Sequence, residues 1–245
     1  MFIDPADLQH NHQRLEEIEK ASMRLVVQAL YEFRETAALI FAREPDLAQD
    51  VAEDITREAL DRIGVSRIDL RLFGKIDYKR ARYVFHPEYA VRQALFVDSK
   101  AEKEVATATL QTAQTSMRIR HLRANQEVDV PGELPIVVQN DMGAFIATSI
   151  FVKFHYEDNP VTRLLGITVA CVPNGFLQNY YNPCAQDTIW RAGRNAPSRG
   201  EPFRVRLVFG LLKTKMCWRV QNVPIPPPPA TDSLPIHQDN FPWDE

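Results

Sequence analysis

Two aspartates and a lysine, Asp77, Asp98 and Lys100, stand inside runs of strand-forming apolar residues, G-K-I-D and L-F-V-D-S-K. Both β-propensity and burial disfavour Asp in such places, so an acid found there has a partner, a metal or a task. The surrounding stretch, Arg71 to Lys103, reads as two strands, about Gly74 to Phe85 and about Gln93 to Ala101, joined by a loop of His86, Pro87 and Glu88. Period-2 alternation on the second strand puts Phe96, Asp98 and Lys100 on one face and Leu95, Val97 and Ser99 on the other. A hairpin brings Asp77 to the same end of the sheet as Asp98. Two carboxylates beside an amine make a divalent-metal site with a positioned cation. Hard cations such as Mg²⁺ choose oxygen ligands, often one or two carboxylates together with phosphate oxygens and water. Phosphodiester hydrolysis needs that set: a metal to polarise the phosphate and acidify a water, and a lysine to orient the nucleophile or offset charge on the phosphorane. Spacing alone leaves the alternative open, because Asp-x-Lys is common and also describes a solvated strand edge.

The elements that must hold these residues are legible on both sides. From about Leu8 to Arg43, apolar residues recur at three- and four-residue steps without Gly or Pro, which predicts one long helix ended by Pro45. Its apolar face is expected in the core, with a subunit interface as the functional alternative. A second helix is expected from about Leu47 to Ile63, with Asp46 as N-cap and Gly64 as stop. It carries Glu53 and Asp54, one of which can lean toward the sheet and add an oxygen to the metal or behind its ligands, the alternative being that both face solvent. Glu102 to Met117 reads as a polar helix, Asn125 to Glu133 as turns, and Ile136 to Gln139 as a short strand. Thr148 to Tyr156 and Gly166 to Val172 read as inner strands of the same sheet, so the class is α/β. His155 lies on an alternating strand with no spaced His or Cys partner, which makes it structural.

The chain of 245 residues carries a formal net charge of −3, too little positive charge for a purely electrostatic nucleic-acid binder. The charge is uneven, however. Met1 to Arg62 is acidic, Arg71 to Arg123 is basic, and Arg191 to Arg219 sets eight basic residues against the single acid Glu201. Basic segments on an acidic body suit a protein whose polyanion contacts are confined to one cleft. Arg118, Arg120 and Arg123 either track a phosphate backbone or form a solvated surface. Pro173 to Gly200 reads as a long loop with Arg191, Arg194 and Arg199, leading into a strand from Phe203 to Phe209. There Arg204 and Arg206 share one face, and two such arginines can each reach guanine O6 and N7 in a major groove. Three scattered cysteines without a Cys-x-x-Cys pair predict neither a disulfide framework nor a zinc ribbon, and point to a reducing, cytoplasmic compartment. No apolar run is long enough to cross a membrane, and none is expected to. One domain is expected over residues 1–222, and residues 223–245 form a Pro-rich tail.

The ordered set AEDIT, FGKIDYKRARY, LFVDSKAEK, TSIFVKFHY, YNP, AGRNAPSRGE and RVRLVF, from about Leu15 to Trp218, resembles the SfiI family of type II restriction endonucleases, within the PD-(D/E)XK nucleases. The resemblance implies a restriction-endonuclease-like mixed sheet flanked by helices and, in a bacterial cell, sequence-specific double-strand cleavage of DNA. It implies Asp77, Asp98 and Lys100 as the catalytic set, with Asp77, Asp98 and the carbonyl of Ser99 holding Mg²⁺. Arg204 and Arg206 match its base-reading pair, and Arg194 matches a basic recognition residue that is Lys in the family. Two GGCC blocks flanking a spacer are the implied target. A palindromic target asks for two copies of the reading surface, hence at least a homodimer, and the resemblance extends this to a homotetramer, a pair of dimers. The competing expectations are a structure-specific repair or junction nuclease on the same fold, and a DNA-binding protein without catalysis.

Overall fold

The strand that carries Asp98 lies inside the main sheet, and most of the molecule packs on the two faces of that sheet. The computed structural model describes residues 2–44, 47–64, 82–86, 88–103, 108–158, 161–193 and 205–226. In chain order the helices are α1 (His12–Arg43), α2 (Ala48–Arg62), α3 (Gln178–Tyr181) and α4 (Phe209–Lys215). The strands are β1 (Arg82–His86), β2 (Val91–Glu102), β3 (Thr109–Gln111), β4 (Ile119–Arg123), β5 (Gln126–Val130), β6 (Val137–Asn140), β7 (Gly143–Glu157), β8 (Arg163–Val172), β9 (Trp190–Ala192), β10 (Val205–Val208) and β11 (Val220–Pro224).

The main sheet runs β1-β2-β7-β8-β11, with β6 also paired to β7. β2 and β7 are parallel and the remaining neighbours antiparallel, which makes the sheet mixed, as expected for this α/β class. β1 covers β2 only from Val91 to Leu95, whereas β7 accompanies it from Gln93 to Glu102. Beyond Leu95, therefore, one edge of β2 has no strand partner among the described residues. A second sheet, β3-β10-β9, and the β4-β5 hairpin complete the strands.

α1 buries Leu15, Ile18, Val26, Phe33, Ala37 and Phe41, the three- and four-residue recurrence that put a helix there. It starts later than the expected Leu8: Pro5–His10 is a separate 3-10 helix, and the side chain of Asn11 then caps α1 by accepting from Arg14 N at 3.1 Å. α2 ends at Gly64, whose φ of +76° suits a residue without Cβ. The residue at its N-cap is Leu47, with no side-chain bond, so the expected Asp46 cap is corrected by one position; Asp46 itself lies outside the described residues. Both helices pack on one face of the sheet against Leu95, Ile150, Val152, Phe154, Ile167 and Val169. On the other face Phe151, Ala170 and Val172 meet Leu110, Trp190, Leu207 and Phe209 of the second sheet and α4. Alternation along β7 and β8 divides these two cores.

Five expectations change. The predicted polar helix from Glu102 to Met117 is absent from its described residues: Glu102 ends β2, and Thr109–Gln111 pairs with β10. The polarity of this stretch reads as a helix surface, but β-branched Thr109, Thr112 and Thr115 with buried Leu110 suit an extended chain. Asn125 to Glu133 holds a strand, β5, joined to β4 through Ala124 and Asn125 at φ of 48° and 62°, a two-residue turn with both positions left-handed. Exposure of β5 hid its periodicity. The long loop after Pro173 is pinned by a 3-10 turn, α3 and β9, with Leu177, Tyr181, Ile189 and Trp190 buried. The strand expected to reach Phe209 stops at Val208, and Phe209 opens α4 with its ring still in the same core. β11, not foreseen, carries the fold past residue 222, since Val223 and Ile225 are buried.

Candidate active site

Three acidic and basic side chains step along one face of β2 at two-residue intervals, Asp98, Lys100 and Glu102. Asp98 is buried, and its Oδ1 lies 3.6 Å from Lys100 Nζ; the lysine side chain is 35% exposed against 5% for the aspartate. The acid keeps a small opening and the amine beside it reaches toward solvent, as successive same-face positions of a strand near its end allow. Gln93, Leu95, Val97, Ser99 and Ala101 alternate to the opposite side, toward the helices. Ser99 Oγ donates to Thr56 Oγ1 of α2 at 2.7 Å, and Thr56 in turn donates to Ala52 O.

Past Leu95, one amide from α2 binds the backbone of β2. Gln49, in the first turn of α2, donates from Nε2 to the Ser99 carbonyl at 3.0 Å and accepts the Ala101 N–H on Oε1 at 3.1 Å. This is the donor-acceptor pair a neighbouring strand would offer. Gln49 Nε2 also reaches Glu53 Oε1 at 2.9 Å. Glu53 and Asp54 are both exposed, and Asp54 pairs with Arg57. Of these two acids, Glu53 is the one connected to the Ser99 carbonyl, through Gln49.

At the other end of the face, Glu102 gathers two cations. Lys153 of β7 donates to Glu102 Oε2 at 2.7 Å and to Thr109 O at 3.0 Å, with no exposed side-chain surface. Burial lowers the Lys153 pKa, and the bond to Glu102 works against that fall. Arg206 of β10 reaches the two Glu102 oxygens from Nη2 at 3.2 and 3.3 Å, and its Nε donates to Thr109 Oγ1 at 2.5 Å. Antiparallel pairing sets Arg191 of β9 opposite Arg206.

The structure thus places Asp98, Ser99 and Lys100 together on β2 and links Arg206 to the same strand. Asp77, Arg194 and Arg204 lie outside the described residues. Arg118 and Arg120 both pair with Asp129, at 2.8 and 3.2 Å, and Arg120 also donates to Pro183 O at 2.6 Å. His155 is buried with Nε2 2.7 Å from Thr168 Oγ1, which bonds Asn222 Oδ1, a structural chain as its lone position implied. Sequence reasoning missed Gln49, Glu102, Lys153 and Thr109. Lys153 carried a signal: a charge inside I-F-V-K-F-H-Y requires a buried partner. Glu102 carried one too, as the next member of the Asp98 and Lys100 face.

No group of three or more potential metal ligands of the His, Cys, Asp and Glu types occurs among the described residues. Asp98 and the Ser99 carbonyl are nevertheless hard oxygen donors beside one another, the donor chemistry that Mg²⁺ selects.

Comparison with known proteins points one way. The family model described as the type II restriction enzyme SfiI matches residues 22–223. The type II restriction enzyme SfiI of Streptomyces fimbriatus is 35% identical over 225 residues, covering 85% of this chain and 84% of that protein. Among solved structures, the tetrameric restriction endonuclease SfiI bound to cognate DNA matches with a TM-score of 0.76 and 32% identity, over 91% of this chain and 88% of that one. The restriction endonuclease BglI bound to its DNA recognition sequence matches with a TM-score of 0.67 over 89% and 93% of the two chains; at 16% identity the likeness is one of fold.

Proposed function

Because the chain belongs to the SfiI family of type II restriction enzymes, we propose that it hydrolyses both strands of DNA at one sequence, with Mg²⁺ held by Asp77, Asp98 and the Ser99 carbonyl. The observation that carries this reading is the pair on β2, a buried Asp98 with Lys100 Nζ 3.6 Å away on the same face. Mg²⁺, when bound, supplies charge to the scissile phosphate and acidity to a water. Lys100 orients that water or helps to take its proton, leaving 5′-phosphate and 3′-hydroxyl ends. Gln49 keeps the Ser99 carbonyl in place, and Glu53 accepts from the same Gln49 amide and so supports it.

Arg204 and Arg206, with Arg194, read guanines, because bidentate Arg to O6 and N7 is the commonest specific contact in the major groove. The target that follows from the family is two GGCC blocks flanking a spacer. A two-fold target asks for two reading surfaces, and the tetrameric relative bound to cognate DNA supports a homotetramer that holds two sites. No helix among the described residues is long and apolar enough to span a membrane, and the place of action is the bacterial cytoplasm, where DNA and Mg²⁺ are met.

The test is a mixed-sequence plasmid incubated with the purified protein and Mg²⁺, then with EDTA. Discrete fragments whose mapped ends share one interrupted GC-rich sequence, lost on chelation, are expected. Nicks confined to branched or damaged DNA, or an intact plasmid, would overturn the reading.

A further inference from the structure

The face of β2 that carries the proposed catalytic residues continues into a contact that catalysis does not use. Two residues past Lys100, Glu102 accepts from buried Lys153 with one oxygen, and both of its oxygens lie within 3.3 Å of Arg206 Nη2. Thr109 closes the other side, its hydroxyl accepting from Arg206 Nε and its carbonyl from Nη2 at 3.3 Å. An arginine on a strand ordinarily samples many rotamers, and freezing them opposes binding. Here Thr109 holds Nε, and the Glu102 carboxylate together with the Thr109 carbonyl holds Nη2; that acid is itself held by a cation with no route to solvent. Nη1 takes no part in these bonds, and about a quarter of the Arg206 side chain stays in contact with solvent.

We propose that Glu102 is a specificity-determining positioning residue: backed by Lys153 and aided by Thr109, it pre-orients Arg206 for recognition of one guanine. This rests on the reading of Arg206 as a base-contacting residue. Because Glu102 lies on the same strand face as Asp98 and Lys100, the guanine is registered against the cleavage site through a single β-strand. A longer path of packed loops would not fix that spacing as firmly.

Binding measured with Ca²⁺ in place of Mg²⁺ isolates this role from cutting. The probes are a duplex with the sequence mapped at the ends of plasmid fragments cut by the unaltered enzyme, and duplexes with one G·C pair replaced at each position. Arg206→Ala should lower the preference for the intact site about tenfold or more at one position. Glu102→Gln should give a similar loss at that same position, with affinity for the replaced duplex held within about twofold, and should add nothing when combined with Arg206→Ala. Thr109→Val, which removes only the hydroxyl under Nε, should cost about threefold at that position and carries the test if Glu102→Gln fails to fold. A merely structural Glu102 would shift the melting temperature and leave the preference unchanged, and that result overturns the proposal. Losses that add in the double variant overturn it too, since Glu102 would then act apart from Arg206. If Arg206→Ala itself keeps full preference, the base-reading role falls, and the positioning role with it. That outcome is distinguished from the others by the single variant alone.

Discussion

Two carboxylate-guanidinium pairs divide this molecule between architecture and chemistry. Glu19 and Arg219 meet at 2.7 Å with neither side chain exposed, in a pocket where Arg219 stacks on the rings of Trp218 and Tyr181 at 4.4 and 4.6 Å. Glu19 also accepts the Asn174 N–H at 2.8 Å, so one acid ties α1 to the chain after β8 and to the turn before β11. Burial raises the Glu19 pKa, and the charge of Arg219 opposes that rise. Glu102 and Arg206 meet at a similar distance, 3.2 Å, yet both keep about a quarter of their side-chain surface in water. Neither side chain of the sealed pair reaches solvent, so a ligand has no access to it. The half-open pair keeps contact with solvent, and its acid sits on the strand that holds Asp98 and Lys100. Partial exposure, rather than the presence of an ion pair, separates a site from a strut.

That contrast can be broken by substitution. The largest effect is expected at Asp98→Ala, which removes a metal-holding acid and should slow plasmid cleavage by about a thousandfold, several kcal/mol of barrier. Circular dichroism should show the variant as stable as the unaltered chain. Cleavage at the normal rate would dissociate β2 from the chemistry. Next comes the strut: Arg219→Met leaves Glu19 buried without its cation and should lower the unfolding free energy by about 3–5 kcal/mol, read from urea titration. A midpoint that does not move would mean that water already reaches that acid.

Arg206→Ala should cost about 1–3 kcal/mol of discrimination at one base pair, with little change in unfolding free energy, the reverse of Arg219→Met. If it proves to be the more destabilising of the two, the distinction between half-open and sealed pairs has no functional meaning here. The smallest effect is expected at Gln49→Ala, where losing the amide that spans Ser99 O and Ala101 N should slow cleavage roughly threefold to tenfold, about one hydrogen bond. DNA affinity in Ca²⁺ should stay the same. A change in affinity instead of rate would place Gln49 in binding.

The chain's own order of residues decided the strand face at Asp98 and Lys100, both long helices and both inner strands, because each is a local periodicity with one period to read. Buried acids in apolar strands stood out for the same local reason. The polar segments misled: Glu102 to Met117 and Asn125 to Glu133 have strands that are short or exposed, and the pattern of one face against another is weak when neither face is deeply buried. Tertiary structure alone decided the partners. Gln49 lies 50 residues from Ser99, Lys153 lies 51 from Glu102, and Arg206 lies 104 from Glu102. No spacing rule links residues so far apart; sheet register and the docking of α2 bring them together, because a carbonyl or carboxylate that loses water must find a donor wherever the fold supplies one.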